Sequence, residues 1–383
     1  VHNPFNTHFA MAGLYLHVPF CKQACHYCDF HFSTNLSLRH EVISAMAKEI
    51  AMQKDYLADQ QVTSVYLGGG TPSLLTEEEI NMLLASIYAT FAVDSQAEIT
   101  LEANPDDLQK HKLLSLAQAG INRLSIGIQS FHDDVLQFFN RAHTVAESEK
   151  SFWLAREAGF ANISIDLMFS IPGQPASRWT ESVARALQLN PEHISAYSLT
   201  IEEQTVFGRW QTHHKLTPVS DEQAAVEFEY LMDTLAKNGY EQYEISNFSK
   251  PNYHSRHNSS YWQQQHYLGI GPSAHSFNGA TRQHNVRNNH TYLTSIKAGK
   301  VPFQLEVLSQ ANQINEYIFT TLRTSSGCDI HYLRQVFGYD LAHHCHRLVA
   351  HQLAELQNNR LILTRKGKLL ADQIASGLFV EAD

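Results

Sequence analysis

Six short apolar runs, partly β-branched, recur along the first part of the chain. They lie at residues 14–18 (LYLHV), 64–67 (SVYL), 98–102 (EITLE), 123–128 (RLSIGI), 163–168 (ISIDLM) and 193–199 (HISAYSL). Longer stretches of helical periodicity separate them, among them residues 37–56, 76–91 and 177–189, each opening at the Ser or Thr that helix N-termini prefer. Thr76 followed by Glu79 reads as a capping box. Strands alternating with helices point to one class of fold, α/β, with repeated strand-helix units around a parallel sheet or barrel.

The conspicuous polar and glycine residues keep to one side of that pattern. Cys21 follows the first run, Gly68, Gly69 and Gly70 follow the second, Glu102 ends the third, Gln129 follows the fourth, and Asp166 lies late in the fifth. Loops at the C-terminal ends of parallel strands are where such sheets and barrels build their sites. Polar residues scattered through a core have no reason to share one end, so this regularity marks a candidate active or cofactor site.

The first of these loops reads CKQACHYC, a C-x3-C-x2-C spacing of Cys21, Cys25 and Cys28. Three thiolates satisfy three irons of a cubane cluster and leave one iron open, the mark of a reactive rather than a closed site. A structural zinc site that adds His17, His26 or His31 is the alternative from spacing alone. The five cysteines are odd in number, with Cys328 and Cys345 far away, so they form no disulfide framework. The second loop, LGGGTP at residues 67–72, lets backbone approach a ligand closely, although a tight strand-to-helix turn has the same sequence. It lacks the GK[ST] ending of a phosphate loop.

A net charge of -10 gives no bulk attraction to nucleic acid or anionic lipid. No apolar stretch is long enough for an integral membrane segment, and VHNPFNTHFA lacks the features of a signal peptide, so the cytoplasm is the expected location. Residues 1–10 are expected to be an N-terminal extension without function, and residues 11–240 the barrel core. Within that core, residues 206–218 read as a loop and 221–238 as an amphipathic helix. Residues 241–310 read as irregular structure packed on the barrel. Residues 311–383 return to helical patterns with an alternating run, RLILT, at 360–364, as in a small helical or winged-helix-like domain. His343, His344, Cys345 and His346 are consecutive, so on a helix they point apart and cannot all meet one ion; they read as mostly solvent-facing helix.

The cysteine loop and LGGGTP, in that order, resemble the radical S-adenosylmethionine superfamily. More narrowly, YLHVPFCKQACHYCDF, LGGGTPSLL, EANP, SIGIQSF, NRAHT and IDLMFSIPGQ resemble the oxygen-independent coproporphyrinogen III oxidase family over nearly the whole chain. The resemblance implies a partial (β/α)6 TIM-like barrel. It also implies a 4Fe-4S cluster on Cys21, Cys25 and Cys28, and S-adenosylmethionine chelating the open iron. Tyr15 and Tyr27 would lie beside cluster and cofactor, Gly69, Gly70 and Thr71 would meet the methionyl amine, and Arg141 its carboxylate. Glu102, Gln129 and Asp166 would serve the methionyl and ribose groups. The oxidases of this family carry a fourth cysteine two residues after the third, and here that position is Phe30. RHNSSYW followed by YLGIGPSAHS resembles the heme-chaperone branch instead. That branch implies heme as cargo, with His257 as attachment point or axial ligand, Tyr261 and Trp262 as flat partners, and a hemoprotein, such as one of the respiratory chain, as acceptor. On the residues alone, His257 and its neighbours equally pack and hydrogen-bond irregular backbone. A decarboxylating oxidase, or a related methyltransferase of tetrapyrrole metabolism, is the alternative function, so enzymatic activity stays open.

Overall fold

A computed structural model describes residues 11–58 and 60–381; the expected extension at residues 1–10 lies outside the described residues. The six runs form strands β1 (Met11–Val18), β2 (Gln61–Gly69), β3 (Val93–Ala103), β4 (Arg123–Gln129), β5 (Ile163–Phe169) and β6 (His193–Ser198). Between them come α1 (Arg39–Met52), α2 (Glu77–Thr90), α3 (Lys110–Gln118), α4 (Asp133–Phe138), α5 (Val145–Glu157) and α6 (Ala176–Leu189). The expected capping box closes α2: the Thr76 side chain accepts from the Glu79 amide and Glu79 reaches back to the Thr76 amide.

Strands β1 to β6 pair in sequential order and are parallel throughout. With right-handed crossovers, sequential order puts every connecting helix on one face and curls the other face inward. The strands obey that division residue by residue. Leu124, Ile126, Ile163, Ile165, Ile194 and Ala196 pack in the apolar core, while their alternating neighbours Arg123, Ser125, Ser164, His193 and Ser195 are buried polar groups on the inner face.

After β6 the chain forms α7 (Val206–Thr212) and α8 (Asp221–Lys237). The expected loop at residues 206–218 is therefore partly helix. Thr205 caps α7 by accepting from the Gly208 amide at 3.0 Å, and Phe207 anchors it in a small core with Phe139 and Leu216. The stretch expected to be irregular is also largely regular. It contains β7 (Glu241–Gln242), β8 (Asn247–Ser249), α9 (Arg256–Trp262), β9 (His266–Ile270), β10 (His275–Phe277), β11 (Thr281–Asn285), α10 (Asn289–Lys297) and β12 (Phe303–Val307). These strands are too short and polar to show a period in sequence; pairing on the preformed sheet holds them. Strand β9 lies parallel to β1, then β10, β11 and β12 continue antiparallel, while β8 and β7 extend the β6 edge.

The C-terminal portion packs α11 (Gln310–Leu322), α12 (Ile330–Phe337) and α13 (Ala342–Ala350) against an antiparallel sheet. That sheet is built from β13 (Cys328–Asp329), β14 (Ala354–Gln357) and β15 (Arg360–Leu363) in the order β13, β15, β14, a winged-helix-like arrangement with its own core. His343 and His346 face solvent as expected, but Cys345 turns inward and packs with Cys328 in that core.

Candidate functional site

The loop after β1 carries Cys21, Cys25 and Cys28 over the C-terminal strand ends, and contacts from distant segments hold it there. The His26 amide donates to the Phe139 carbonyl at 3.0 Å, the His26 ring meets the Phe138 carbonyl at 2.9 Å, and the Phe207 amide donates to the His26 carbonyl at 3.1 Å. Helix α7 thus clamps the loop from one side while the Tyr27 ring packs edge-on against Phe139.

All three thiols open onto a cavity of about 440 Å³. Tyr27, Gly69, Gly70, Thr71, Glu102, Gln129, Arg141 and Asp166 line the same cavity, so the structure brings these expected residues together. Burial pushes the Cys21 thiol up to about 12 and the Cys28 thiol up to about 11. A metal that takes thiolates has to supply that deprotonation. Among the described residues, no three His, Cys, Asp or Glu side chains converge as a single-ion site requires. The histidines of the zinc alternative are engaged elsewhere: His17 bonds Tyr15 and the His31 carbonyl, and His31 bonds Asn289. Three thiols around a shared cavity, without a fourth donor, fit a cluster with an open iron.

The backbone beside the thiols is shaped for close approach. Gly69 has φ +101°, and a Cβ there would lie 2.6 Å from the His17 ring; one on Gly70 would lie 2.7 Å from the Val18 and Phe20 carbonyls. Gln129 ends β4 with φ +67°, a left-handed conformation that a non-glycine residue adopts at some cost, and the β4–β5 register shifts just before it. Arg141 is held in place by Asn104 Oδ1 (2.6 Å) and the Gly127 carbonyl (3.0 Å), with Nη1 3.4 Å from Cys25 Sγ; its buried Nε has no partner among the described residues. An anionic ligand group beside the thiols would supply one.

Two carboxylates face the cavity from β3 and β5, on either side of β4. Glu102 accepts from the Tyr66 hydroxyl at 2.7 Å and the Gly69 amide at 3.2 Å; burial, with the neighbouring Asp166 charge adding to it, pushes it up to about 7. Asp166 accepts from Ser125 at 3.2 Å, and burial pushes it up to about 6. Both are poised for ligand ammonium or hydroxyl groups.

Four expected residues fall elsewhere. Tyr15, Tyr261 and Trp262 line a second cavity, of about 490 Å³, that adjoins the cluster loop. His257 lines neither. It is buried where α9 plugs the N-terminal end of the barrel, its Nδ1 2.9 Å from Ser64 Oγ, its Nε2 2.8 Å from the Tyr261 hydroxyl, and its ring stacked on Tyr66. Both ring nitrogens of His257 are thus hydrogen-bonded, and its side chain lines neither cavity. The inward-facing Asn104, Ser125, Ser195 and Tyr197 were not singled out from sequence, although Asn104 lies in EANP and the others follow the inner-face alternation of β4 and β6.

The sequence pattern of the Radical SAM superfamily matches residues 15–186. The chain is 36% identical over 375 residues to the heme chaperone HemW of Bacillus subtilis (strain 168), covering 95% of this chain and 98% of that one. It is 34% identical over 355 residues to the heme chaperone HemW of Lactococcus lactis subsp. lactis (strain IL1403), covering 93% and 92%. Among solved structures, the coproporphyrinogen III oxidase HemN of Escherichia coli, a radical SAM enzyme, superposes with a TM-score of 0.83. That match covers 97% of this chain and 91% of the other at 22% identity, a likeness of fold.

Proposed function

This chain belongs to the HemW family within the radical S-adenosylmethionine superfamily, and from that premise we propose that it is a heme chaperone. It would hold a 4Fe-4S cluster on Cys21, Cys25 and Cys28, bind S-adenosylmethionine over Gly69–Thr71 and Arg141, and pass heme to an acceptor hemoprotein. The observation that carries this reading is Phe30. It stands where the decarboxylating oxidases resemble one another in a fourth cysteine, is 70% exposed, and lines both the cluster cavity and the aromatic cavity beside it. The chain therefore has an apolar flap and a separate place for a cargo where the oxidases have a thiol.

Each cavity residue has a task that its surroundings define. The Arg141 guanidinium offers a carboxylate its unpartnered Nε–H, Glu102 and Asp166 accept from ammonium or hydroxyl groups, and the Gly69–Gly70 turn admits a ligand against bare backbone. When bound, the cluster supplies one-electron chemistry.

Anaerobic reconstitution should give about four irons per chain. Calorimetry should then detect S-adenosylmethionine, and heme titration a stoichiometric complex whose heme moves to an apo-hemoprotein. Incubation with reductant, S-adenosylmethionine and coproporphyrinogen III should leave the porphyrinogen unchanged. Protoporphyrinogen as product would place the chain with the oxidases and overturn the chaperone reading.

A further inference from the structure

Asn104 is the first residue after β3 and stands immediately before a short 3-10 turn, Pro105–Asp107. That is a cap position, where an asparagine oxygen ordinarily accepts from a backbone amide of the turn and a proline follows readily. The Asn104 side chain makes no such bond. It lines the cluster cavity instead, and both ends of its amide are spent on residues beside the cysteines. Its Oδ1 accepts from Arg141 Nη2 at 2.6 Å, and its Nδ2 donates to Thr71 Oγ1 at 3.4 Å.

The two residues that Asn104 holds reach two different cysteines. Arg141 Nη1 lies 3.4 Å from Cys25 Sγ, and Thr71 is the side chain hydrogen-bonded to the Cys21 thiol. A hydroxyl has one proton to give; by donating to the Thr71 oxygen, the Asn104 amide leaves that proton for Cys21. Turning the amide over would set its NH2 against the guanidinium, so the arrangement has one direction. The backbone of Asn104 is fixed from the other side. Its amide donates to Ser73 Oγ at 3.2 Å, Ser73 donates to Asp107 Oδ2 at 2.6 Å, and Asp107 pairs with Lys22, which lies in the cysteine loop between Cys21 and Cys25. Lys22 also pairs with Asp106 at 2.7 Å. Contacts therefore run from the cysteine loop through Lys22, Asp107, Ser73 and Asn104 and back to two of the cysteines.

We propose that Asn104 is a positioning residue for both halves of the site: through Thr71 it keeps a hydrogen bond on the sulfur of Cys21 and so raises the reduction potential of the cluster, and through Arg141 it aims the guanidinium at the carboxylate of S-adenosylmethionine. The inference rests on the cluster and cofactor reading above, in which the three thiols stand for cluster thiolates. A donor to a cluster sulfur stabilises the reduced, more negative state over the oxidised one, which is the physical basis of the first effect. The second follows from the shape of the fork. With Nη2 taken by Asn104 and the Gly127 carbonyl, the buried Nε, which has no partner among the described residues, is left for the ligand. One uncharged side chain then links ease of reduction to capture of the cofactor.

The test compares reconstituted full chains by a redox titration of the cluster followed by electron paramagnetic resonance, and by calorimetry of S-adenosylmethionine binding. Asn104→Ala should bind S-adenosylmethionine about tenfold more weakly. At a fixed potential its ratio of reduced to oxidised cluster should also be about tenfold smaller, a shift of about 59 mV to lower potential for one electron. Thr71→Val removes the hydroxyl and keeps the backbone. It should lower the potential by a similar amount with the affinity for S-adenosylmethionine within about threefold of wild type, and Thr71→Ser should restore the potential. The double variant Asn104→Ala/Thr71→Val should have the potential of Asn104→Ala alone, because both act through one bond; shifts that add would overturn the coupling. A role confined to folding predicts wild-type potential and affinity in every variant that takes up about four irons, with only the thermal midpoint lowered. That result sinks the inference and leaves the cluster and chaperone readings standing. If Asn104→Ala takes up no iron, the Thr71 pair decides, and an unchanged potential in Thr71→Val overturns the inference. If wild type itself takes up no iron, the cluster reading falls and takes the inference with it.

Discussion

Glu102 sits between Tyr66, the Gly69 amide and Asp166, and burial lifts it to about 7. In an unfolded chain a glutamate titrates near about 4.3. Between those values the folded, ligand-free protein binds the extra proton, so its stability falls as pH rises through that window and levels off above about 7. Thermal midpoints from pH 5 to 8 should show this slope, and Glu102→Gln should flatten it. If S-adenosylmethionine is held through ionised Glu102, its dissociation constant should fall by up to about tenfold per pH unit below 7 and then level off, as calorimetry across pH would show. Gly69→Ala would force a Cβ onto the His17 ring at a left-handed φ. It should lose S-adenosylmethionine binding and about 1–3 kcal/mol of stability in denaturant titration. His257→Ala would leave a cavity and unpaired Ser64 and Tyr261 hydroxyls at the barrel plug, and should cost about 2–4 kcal/mol.

Among the elements, α7 shows how a segment without a strong sequence signal comes to matter. Its seven residues include a glycine, and only Phe207 and Trp210 give it an apolar side, yet that side packs on Phe138 and His26. Phe207→Ala should cost about 3–5 kcal/mol and, by loosening the clamp on the cysteine loop, speed iron loss to a chelator from the reconstituted protein. Unchanged iron release would remove α7 from the cluster's support. The six barrel strands, by contrast, were legible in sequence because each has a complete apolar face toward the helices. The strands of residues 241–310 were not: β10 has three residues and β11 reads TRQHN, so their fate depends on partners far along the chain.

At the scale of the whole molecule, the barrel and the C-terminal portion have separate apolar cores, with Ile245 packed against both. The ion pairs of Arg365 with Glu229 and Asp233 cross between them, but their partners are about half exposed and such pairs contribute little. Ile318→Ala, in the smaller core, should therefore cost about 2–5 kcal/mol in the unfolding of the C-terminal portion alone. Calorimetry should show that transition moving while reconstituted iron stays at the wild-type level; coupled loss of iron would mean the two cores unfold as one. Among the described residues no helix is long and apolar enough to cross a membrane.

The sequence by itself determined the parallel strand-helix architecture, the cysteine loop and the strand-end carboxylates, since these depend on periodicity and spacing within a few residues. Tertiary structure alone decided which of the aromatic and histidine residues face which cavity. His31 meets Asn289 across 258 positions, and His257 meets Ser64 across 193. Pairing β9 onto β1 and folding α9 under the barrel turn Tyr15, Tyr261 and Trp262 toward one cavity while sealing His257 away from it. No local preference carries that information, because it arises from the summed packing of segments that meet only after the sheet has formed.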